Sequence, residues 1–428
     1  MELFDQFRGV LGIAVLLCAA WAISEDRGGR PSWRWIGGAL VVQGILALLI
    51  IRVPFIWDLV TLANEGVAAI ERATLDGSSY MFGYLGGAEL PFEIKDGADQ
   101  PLIIAFQILP LVIVFSALSA LLWHWGVLKW LVNGLSFLLR KTLGVSGVVG
   151  LSGGANMFLG VVESPLVVRA YFARVSRAEL FQIMVLAMST ISGAILILYA
   201  TTLRESVPDA VGHMIAASLI SLPAALLIAK LMVPAGKDDA GTETSSSGED
   251  EPELSYANSM DAVIKGTMDG MQLFLAVIAV IIVIFALVSL VDQILLLLPF
   301  VGDEPLTLKR MFGWLFAPIM YLVGIPWAEA QAAGALMGTK AILNEYVAYL
   351  ELAALPADTF GARSLLIVTY ALCGVANLAS IGLLVSTIGT LCPERRAEVA
   401  GLGFKSWIAG NFATLITGAW IGLLTLSV

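Results

Sequence analysis

Residues 156–165 read Asn156-Met-Phe-Leu-Gly-Val-Val-Glu163-Ser-Pro165, a polar, glycine-containing interruption at the centre of an otherwise apolar stretch, Val145–Ala173. A carboxylate near a bilayer centre costs about 2.5–3.5 kcal/mol on insertion scales, so Glu163 should face a wet cavity or a partner. Irregular backbone at that depth is tolerated only where it is buried in protein or lines a cavity. The stretch therefore reads as a re-entrant hairpin with Glu163 at its tip. Pro165 suits the first turn of the returning helix, where proline's missing N–H is not needed.

Working outward, the next apolar run, Leu180–Thr202, is broken by Ser189-Thr-Ile-Ser-Gly193. The same order recurs later in the chain. Met311–Leu355 has Gly324-Ile-Pro326-Trp-Ala-Glu329-Ala at its centre, and Leu365–Cys392 is interrupted by Gly374-Val-Ala-Asn377-Leu-Ala-Ser380-Ile-Gly382. Paired interrupted segments in corresponding places point to a transporter's substrate site. On this reading the second tip carries Glu329. The repeat is uneven, with 29 positions from Glu163 to Ser192 and 51 from Glu329 to Ser380, and a longer return arm in the second hairpin is expected to absorb the difference.

The composition agrees with a chain built for lipid. The 428 residues are 58% hydrophobic and only 14% charged, with a mean hydropathy of +0.88, where soluble domains hold about a quarter charged residues. This balance excludes a disordered chain, a nucleic-acid binder and a disulfide scaffold. Cys18, Cys373 and Cys392 form no CxxC pair, and His124 and His213 are the only histidines; they leave no material for a His-rich metal site or for an enzyme built on a metal or nucleophile constellation. Of the net charge of −10, six units lie between Gly236 and Tyr256, where seven carboxylates face Lys237 alone. That Ser/Gly-rich segment reads as a solvated loop.

Spans of about 20 apolar residues are expected at Gly9–Ile23, Trp33–Ile51, Pro101–Trp130, Leu180–Thr202, Val211–Val233, Met271–Phe300, Leu365–Cys392 and Ile408–Val428. Phe55–Thr74 has the pattern of a helix lying in the interface. The fold class is thus an all-α polytopic membrane protein, with eight transmembrane helices and two oppositely oriented re-entrant hairpins in an inverted repeat. Placing the first connecting loop in the cytoplasm puts 15 Lys and Arg inside and 9 outside, which the positive-inside rule favours; both termini then face outward. The N-terminus, with Glu2, Asp5 and Arg8, lacks the basic start of a signal peptide and reads as mature protein.

Two acceptor-only carboxylates facing one cavity suit a neutral ligand rich in hydroxyls. Asn377 both donates and accepts, and Ser380 falls on the same face if that segment is helical; the alternative is that these residues only satisfy backbone freed by the helix break. Asn156 and Thr190 offer side-chain oxygens beside broken helices whose free carbonyls could coordinate Na+, or they act as a helix cap and a back-bonded hydroxyl.

At these residues the chain resembles the concentrative nucleoside transporter family. The most specific match is Gly338-Thr-Lys340-Ala-Ile-Leu-Asn344-Glu345-Tyr346-Val-Ala-Tyr349, against the family pattern G-x-K-x3-N-E-F-V-A-aromatic, with Tyr346 in place of Phe. Lys340 is five positions from Glu345, a poor spacing for a bridge on one helix. The stretches around Glu163, around Glu329 and at Ala371–Ser380 also match. The resemblance implies a homotrimer of elevator-type protomers in the cell membrane, surrounded by lipid, that take up nucleosides with a co-transported cation, Na+ rather than H+, and no organic cofactor. It implies scaffold helices over 1–142, a first transport repeat over 143–234, the acidic cytoplasmic loop over 235–257, a scaffold helix over 258–300 and a second transport repeat over 301–428. It implies that Glu163, Glu329, Asn377 and Ser380 bind the nucleoside, that Ile195 and Val375 are apolar neighbours, and that Asn156, Leu159, Thr190 and Ile191 hold Na+. One departure is Val161-Val162, where well-studied members carry a polar pair that meets the base. Two valines cannot hydrogen-bond a nucleobase, so weak base selectivity is expected. Val375, where some relatives have Phe, removes a stacking surface. The alternatives are a proton-coupled relative, or a carrier of a nucleobase or another polar solute on the same scaffold.

Overall fold

The computed structural model describes residues 2–92, 103–161, 163–236, 256–299 and 305–425; Val162, the side chain of Glu163 and most of the acidic loop (237–255) lie outside the described residues. Among the described residues the chain is helical throughout. In order the helices are α1 (Glu2–Ala22), α2 (Trp33–Arg52), α3 (Pro54–Phe82), α4 (Ile104–Gln107), α5 (Pro110–His124), α6 (Val127–Leu143), α7 (Gly147–Asn156), α8 (Glu163–Val167), α9 (Arg177–Ser189), α10 (Gly193–Thr202), α11 (Ala210–Met232), α12 (Ser259–Leu295), α13 (Leu308–Val323), α14 (Trp327–Ile342), α15 (Glu345–Ala354), α16 (Ala362–Leu372), α17 (Leu378–Leu391) and α18 (Arg396–Leu424). Five segments are long and apolar enough to cross a bilayer as continuous spans: α2, Ile104–His124, α11, α12 and Pro393–Leu424.

The expected interruptions are where the residues dictate them. Helix α9 stops at Ser189, and Thr190 and Ser192 are extended before α10 begins. Helix α16 stops at Leu372, and Asn377 caps α17 by accepting the Ser380 N–H at 2.8 Å. The two breaks touch. A Cβ on Gly374 would lie 3.1 Å from the Ser189 carbonyl oxygen, so a side chain there would crowd these two segments.

Three expected segments are corrected. Pro101–Trp130 is not one rod, because the chain turns at Gly126, whose φ of +81° favours glycine. It continues as α6, which buries Leu128, Val132, Ser136, Leu139 and Leu143 on one stripe and exposes Lys129, Arg140 and Lys141. The last helix starts at Arg396, twelve positions before the expected Ile408, because the Arg-Ala-Glu start carries helix formers even though it is polar. Met311–Leu355 is three helices and not two arms. Helices α13 and α14 fold back at 118° across Gly324–Pro326, and the chain turns again at Leu343-Asn344 before α15.

The core is built on α9, α11 and α18. Helix α11 is buried along most of its length, and Gln43 of α2 ties into it by donating to Ile220 O at 3.2 Å and Thr417 Oγ1 at 3.4 Å. Helices α1 and α2 pack on α18 and α11. Helices α5 and α12 form a close pair, pressed together at Gly266 and Gly270. A Cβ at either position would come within 2.7 Å of α5 backbone, at Ser116 O and Ile113 Cα respectively. The outer face of α12 exposes Leu275, Ile282, Phe285 and Leu290, a side fit for lipid or another apolar surface.

Candidate functional site

A cavity of about 170 Å³ lies between the α5–α12 pair and the broken helices. One wall is Ser116, Ser119 and Trp123 of α5 with Gly266, Asp269 and Leu273 of α12. The facing wall comes from the chain after α7 (Phe158, Leu159, Gly160, Val161), from Ser192 and Ile195, and from Glu345, Val375, Ser380 and Leu383.

The polar end centres on Glu345, the first residue of α15, which Asn344 caps by accepting the Val347 N–H at 2.8 Å. The Glu345 side chain is buried. The Tyr199 hydroxyl donates to its Oε1 at 2.7 Å, and Asn377 Nδ2 donates to its Oε2 at 2.8 Å. Tyr199 in turn stacks on Tyr346, ring centroids 5.5 Å apart and 14° from parallel. A buried carboxylate held by two donors keeps lone pairs free for a hydroxyl-bearing ligand.

Of the expected binding residues, the structure brings Val161, Ile195, Val375 and Ser380 to this cavity and joins Asn377 to it through Glu345. It does not bring Glu329. That residue sits in the first turn of α14, where its Oε1 accepts the Gly361 N–H at 3.4 Å. Thirteen helical positions separate it from Ile342, about 20 Å along the axis. The carboxylate at the second tip is Glu345. Both Glu163 and Glu345 begin their helices, and the repeat becomes even: 192 − 163 = 29 positions to the cap of α10, and 377 − 345 = 32 to the cap of α17. Glu345 stood in the quoted motif, and the Asn-Glu pair at a helix start was the signal that could have found it.

Lys340 does not pair with Glu345 along one helix, since α14 ends between them. Its ammonium donates to Asn411 Oδ1 at 2.7 Å and Thr414 Oγ1 at 3.2 Å, both on α18.

The expected cation residues also gather. Asn156, at the end of α7, donates from Nδ2 to Leu186 O at 3.1 Å and to Thr190 Oγ1. Ser164, which the sequence reading left out, donates to Asn156 Oδ1 at 2.9 Å. Leu159 lines the adjoining cavity, and Ile191 is wholly buried beside Thr190. Two oxygens, Thr190 Oγ1 and Leu186 O, thus converge on one amide. Turning that amide over would present its own oxygen beside them, a hard-oxygen set suited to an alkali cation.

Broken helices meeting at an internal cavity, within a bundle whose long apolar helices can cross a bilayer, fit the architecture of a polytopic helical membrane transporter. Comparison with known proteins narrows this. Models described as Na+ dependent nucleoside transporter N-terminus and C-terminus match residues 11–85 and 213–422, and one described as nucleoside recognition matches 105–205. The chain is 32% identical to the putative nucleoside permease NupX of Escherichia coli, covering 98% of this chain and 100% of that protein. It is 30% identical to the nucleoside permease NupC of Helicobacter pylori, covering 98% and 99%. A solved structure described as CNTnw in an inward-facing substrate-bound state superposes with a TM-score of 0.87 at 34% identity, over 98% of this chain and 99% of that one. The chain belongs to the concentrative nucleoside transporter family.

Proposed function

We propose that this protein carries nucleosides into the cell together with Na+, by alternating access at the cavity between the α5–α12 pair and the broken helices. The observation that carries the reading is the group Glu345, Asn377, Tyr199 and Ser380, gathered where the second helix break meets the second tip. Its acceptors and donors suit the sugar hydroxyls. Glu163, first residue of α8, is the corresponding carboxylate of the first tip. Val161, with Ile195 and Val375 beside it, offers the base an apolar edge, and with a second valine following it in sequence bases are distinguished weakly. Na+ binds at Asn156, Leu159, Thr190 and Ile191, with Ser164 orienting the Asn156 amide.

Counting α1, α9–α10 and α16–α17 as spans beside the five continuous ones gives eight. Helices α7–α8 and α14–α15 are then the two re-entrant hairpins. The scaffold is then the helices over residues 1–142 and the helix over 258–300, with the transport repeats over 143–234 and 301–428. The exposed apolar face of α12 suits a homotrimer interface in lipid, and both termini face outward.

The test is uptake of labelled uridine and adenosine into proteoliposomes, with and without an inward Na+ gradient. Concentrative uptake of both that requires Na+ is expected. Uptake that follows a proton gradient and ignores Na+ would remove the cation assignment, and no uptake of either would remove the nucleoside.

A further inference from the structure

Lys340 is a fully buried cation that no step of this transport reading uses. It sits one turn before the end of α14, and its surroundings form a closed circuit. An ammonium has three donors and no acceptor, so the amide of Asn411 must turn its Oδ1 toward it, as the 2.7 Å contact shows. That orientation points Asn411 Nδ2 the other way, where it donates to Ala376 O at 3.1 Å and Trp407 O at 3.0 Å. Ala376 lies in the α16–α17 break and directly precedes Asn377, which donates to Glu345. Glu345 begins α15, across the short turn from Lys340. The circuit runs from α14 to α18, to the break, to α15 and back. Two close approaches tighten it: a Cβ on Gly374 would lie 2.7 Å from Thr414 Cγ2, and one on Gly410 would lie 2.9 Å from Ala376 Cβ. A buried ammonium also needs an answering charge, and the Glu345 carboxylate, five residues on and buried as well, supplies it.

We propose that Lys340 is a positioning residue for nucleoside binding: by fixing the Asn411 amide it sets the α16–α17 break, and through Asn377 it aims the Glu345 carboxylate at the sugar. This rests on the reading of the cavity given above. The sugar end, and not the base end or the cation site, is what its loss should disturb.

The experiment compares uridine with 2′,3′-dideoxyuridine, which keeps the base and the 5′-hydroxyl and lacks the 2′- and 3′-hydroxyls, in proteoliposomes holding the full-length chain. The wild-type protein is expected to prefer uridine by at least about tenfold, the worth of one charge-assisted hydrogen bond. Lys340→Met should raise the uridine KM by about that factor while the dideoxy KM changes little, so the preference collapses and the Na+ half-saturation stays. Asn411→Asp keeps an acceptor for the ammonium and cannot donate to Ala376, so it should collapse the preference too. Lys340→Met with a wild-type preference, whatever its overall rate, would overturn the proposal. Should Lys340→Met not fold, a wild-type preference in Asn411→Asp does the same. A wild-type protein with no preference would instead remove the sugar reading of the cavity, and this proposal with it.

Discussion

Both halves of the chain break a helix beside the cavity, but the breaks are finished by different chemistry. At the α9–α10 break the contacts among the described residues are neutral: the Asn156 amide, the Thr190 and Ser164 hydroxyls and the Leu186 carbonyl. At the α16–α17 break they are ionic, with Glu345 held by Asn377 and Tyr199, and Lys340 held by Asn411 and Thr414. On the proposed function, these matched elements carry unlike tasks. A neutral cluster of oxygens can take a charge from solution and release it. A cluster that already holds an acid and an ammonium is internally balanced and is better suited to grip a neutral, hydroxyl-rich solute.

The largest effect should come from exchanging the two carboxylates that sequence and structure rank differently. Glu345→Gln removes a charged acceptor from the centre of the second cluster, and nucleoside uptake should fall about 100-fold, the upper range for a charge-assisted hydrogen bond. Glu329→Gln alters a group bonded to a loop amide at the far end of α14, and uptake should stay within about twofold. Initial-rate kinetics on both variants decide it; the reverse order would restore Glu329 to the site.

A smaller, separate effect is expected from the neutral cluster. Thr190→Ala removes an oxygen that converges on Asn156, and the Na+ half-saturation should rise about tenfold, one hydrogen bond's worth. The preference for uridine over its dideoxy analogue should survive. If that preference is lost as well, the two breaks are not independent, and the Gly374–Ser189 contact is the place to look. Next in size is the base edge. Val161→Gln with Val162→Thr supplies donors and acceptors, and the ratio of uridine to adenosine uptake should change by about tenfold or more. An unchanged ratio would remove the valines from base recognition.

How much of this was legible in the sequence differs between the halves for a physical reason. The membrane class followed from apolar runs, and both helix breaks from Ser, Thr, Gly and Asn inside them. The second tip did not. Gly324, with a φ of +123°, and Pro326 make a conspicuous turn, so the reading stopped there and took the nearby Glu329. The turn that matters, Leu343-Asn344, has neither glycine nor proline and is marked only by an N-capping asparagine. Helix α6 was hidden because its apolar stripe runs on from α5, with Gly126 as the sole punctuation. The spacing of Lys340 from Glu345 argued against a bridge on one helix and gave no other partner. Long-range partners such as Tyr199 for Glu345 and Asn411 for Lys340 have no local signature at all.

The smallest expected effect lies far from the cavity, where the two halves are tied at one end of the bundle. Glu25, between α1 and α2, accepts from Arg177 at 2.8 and 3.0 Å and from Lys405 at 2.7 Å, so one carboxylate joins the start of α9 to α18. The bonded Arg177 guanidinium, with help from Lys405, holds this carboxyl down at about 2 against its usual 4.5. Because the folded value is the lower one, the contribution is complete above about pH 4.5 and is lost as pH falls toward about 2. The group is partly exposed, so solvent screening keeps the effect modest. Glu25→Gln should lower the melting temperature in detergent by a degree or two at pH 7 and low salt, and the gap should narrow as the buffer is taken from pH 5 to pH 3 and close near pH 2. A gap that stays the same from pH 5 down to pH 2 would mean that the loop is held by packing, with the ion pairs idle, and that the halves are joined through the core alone.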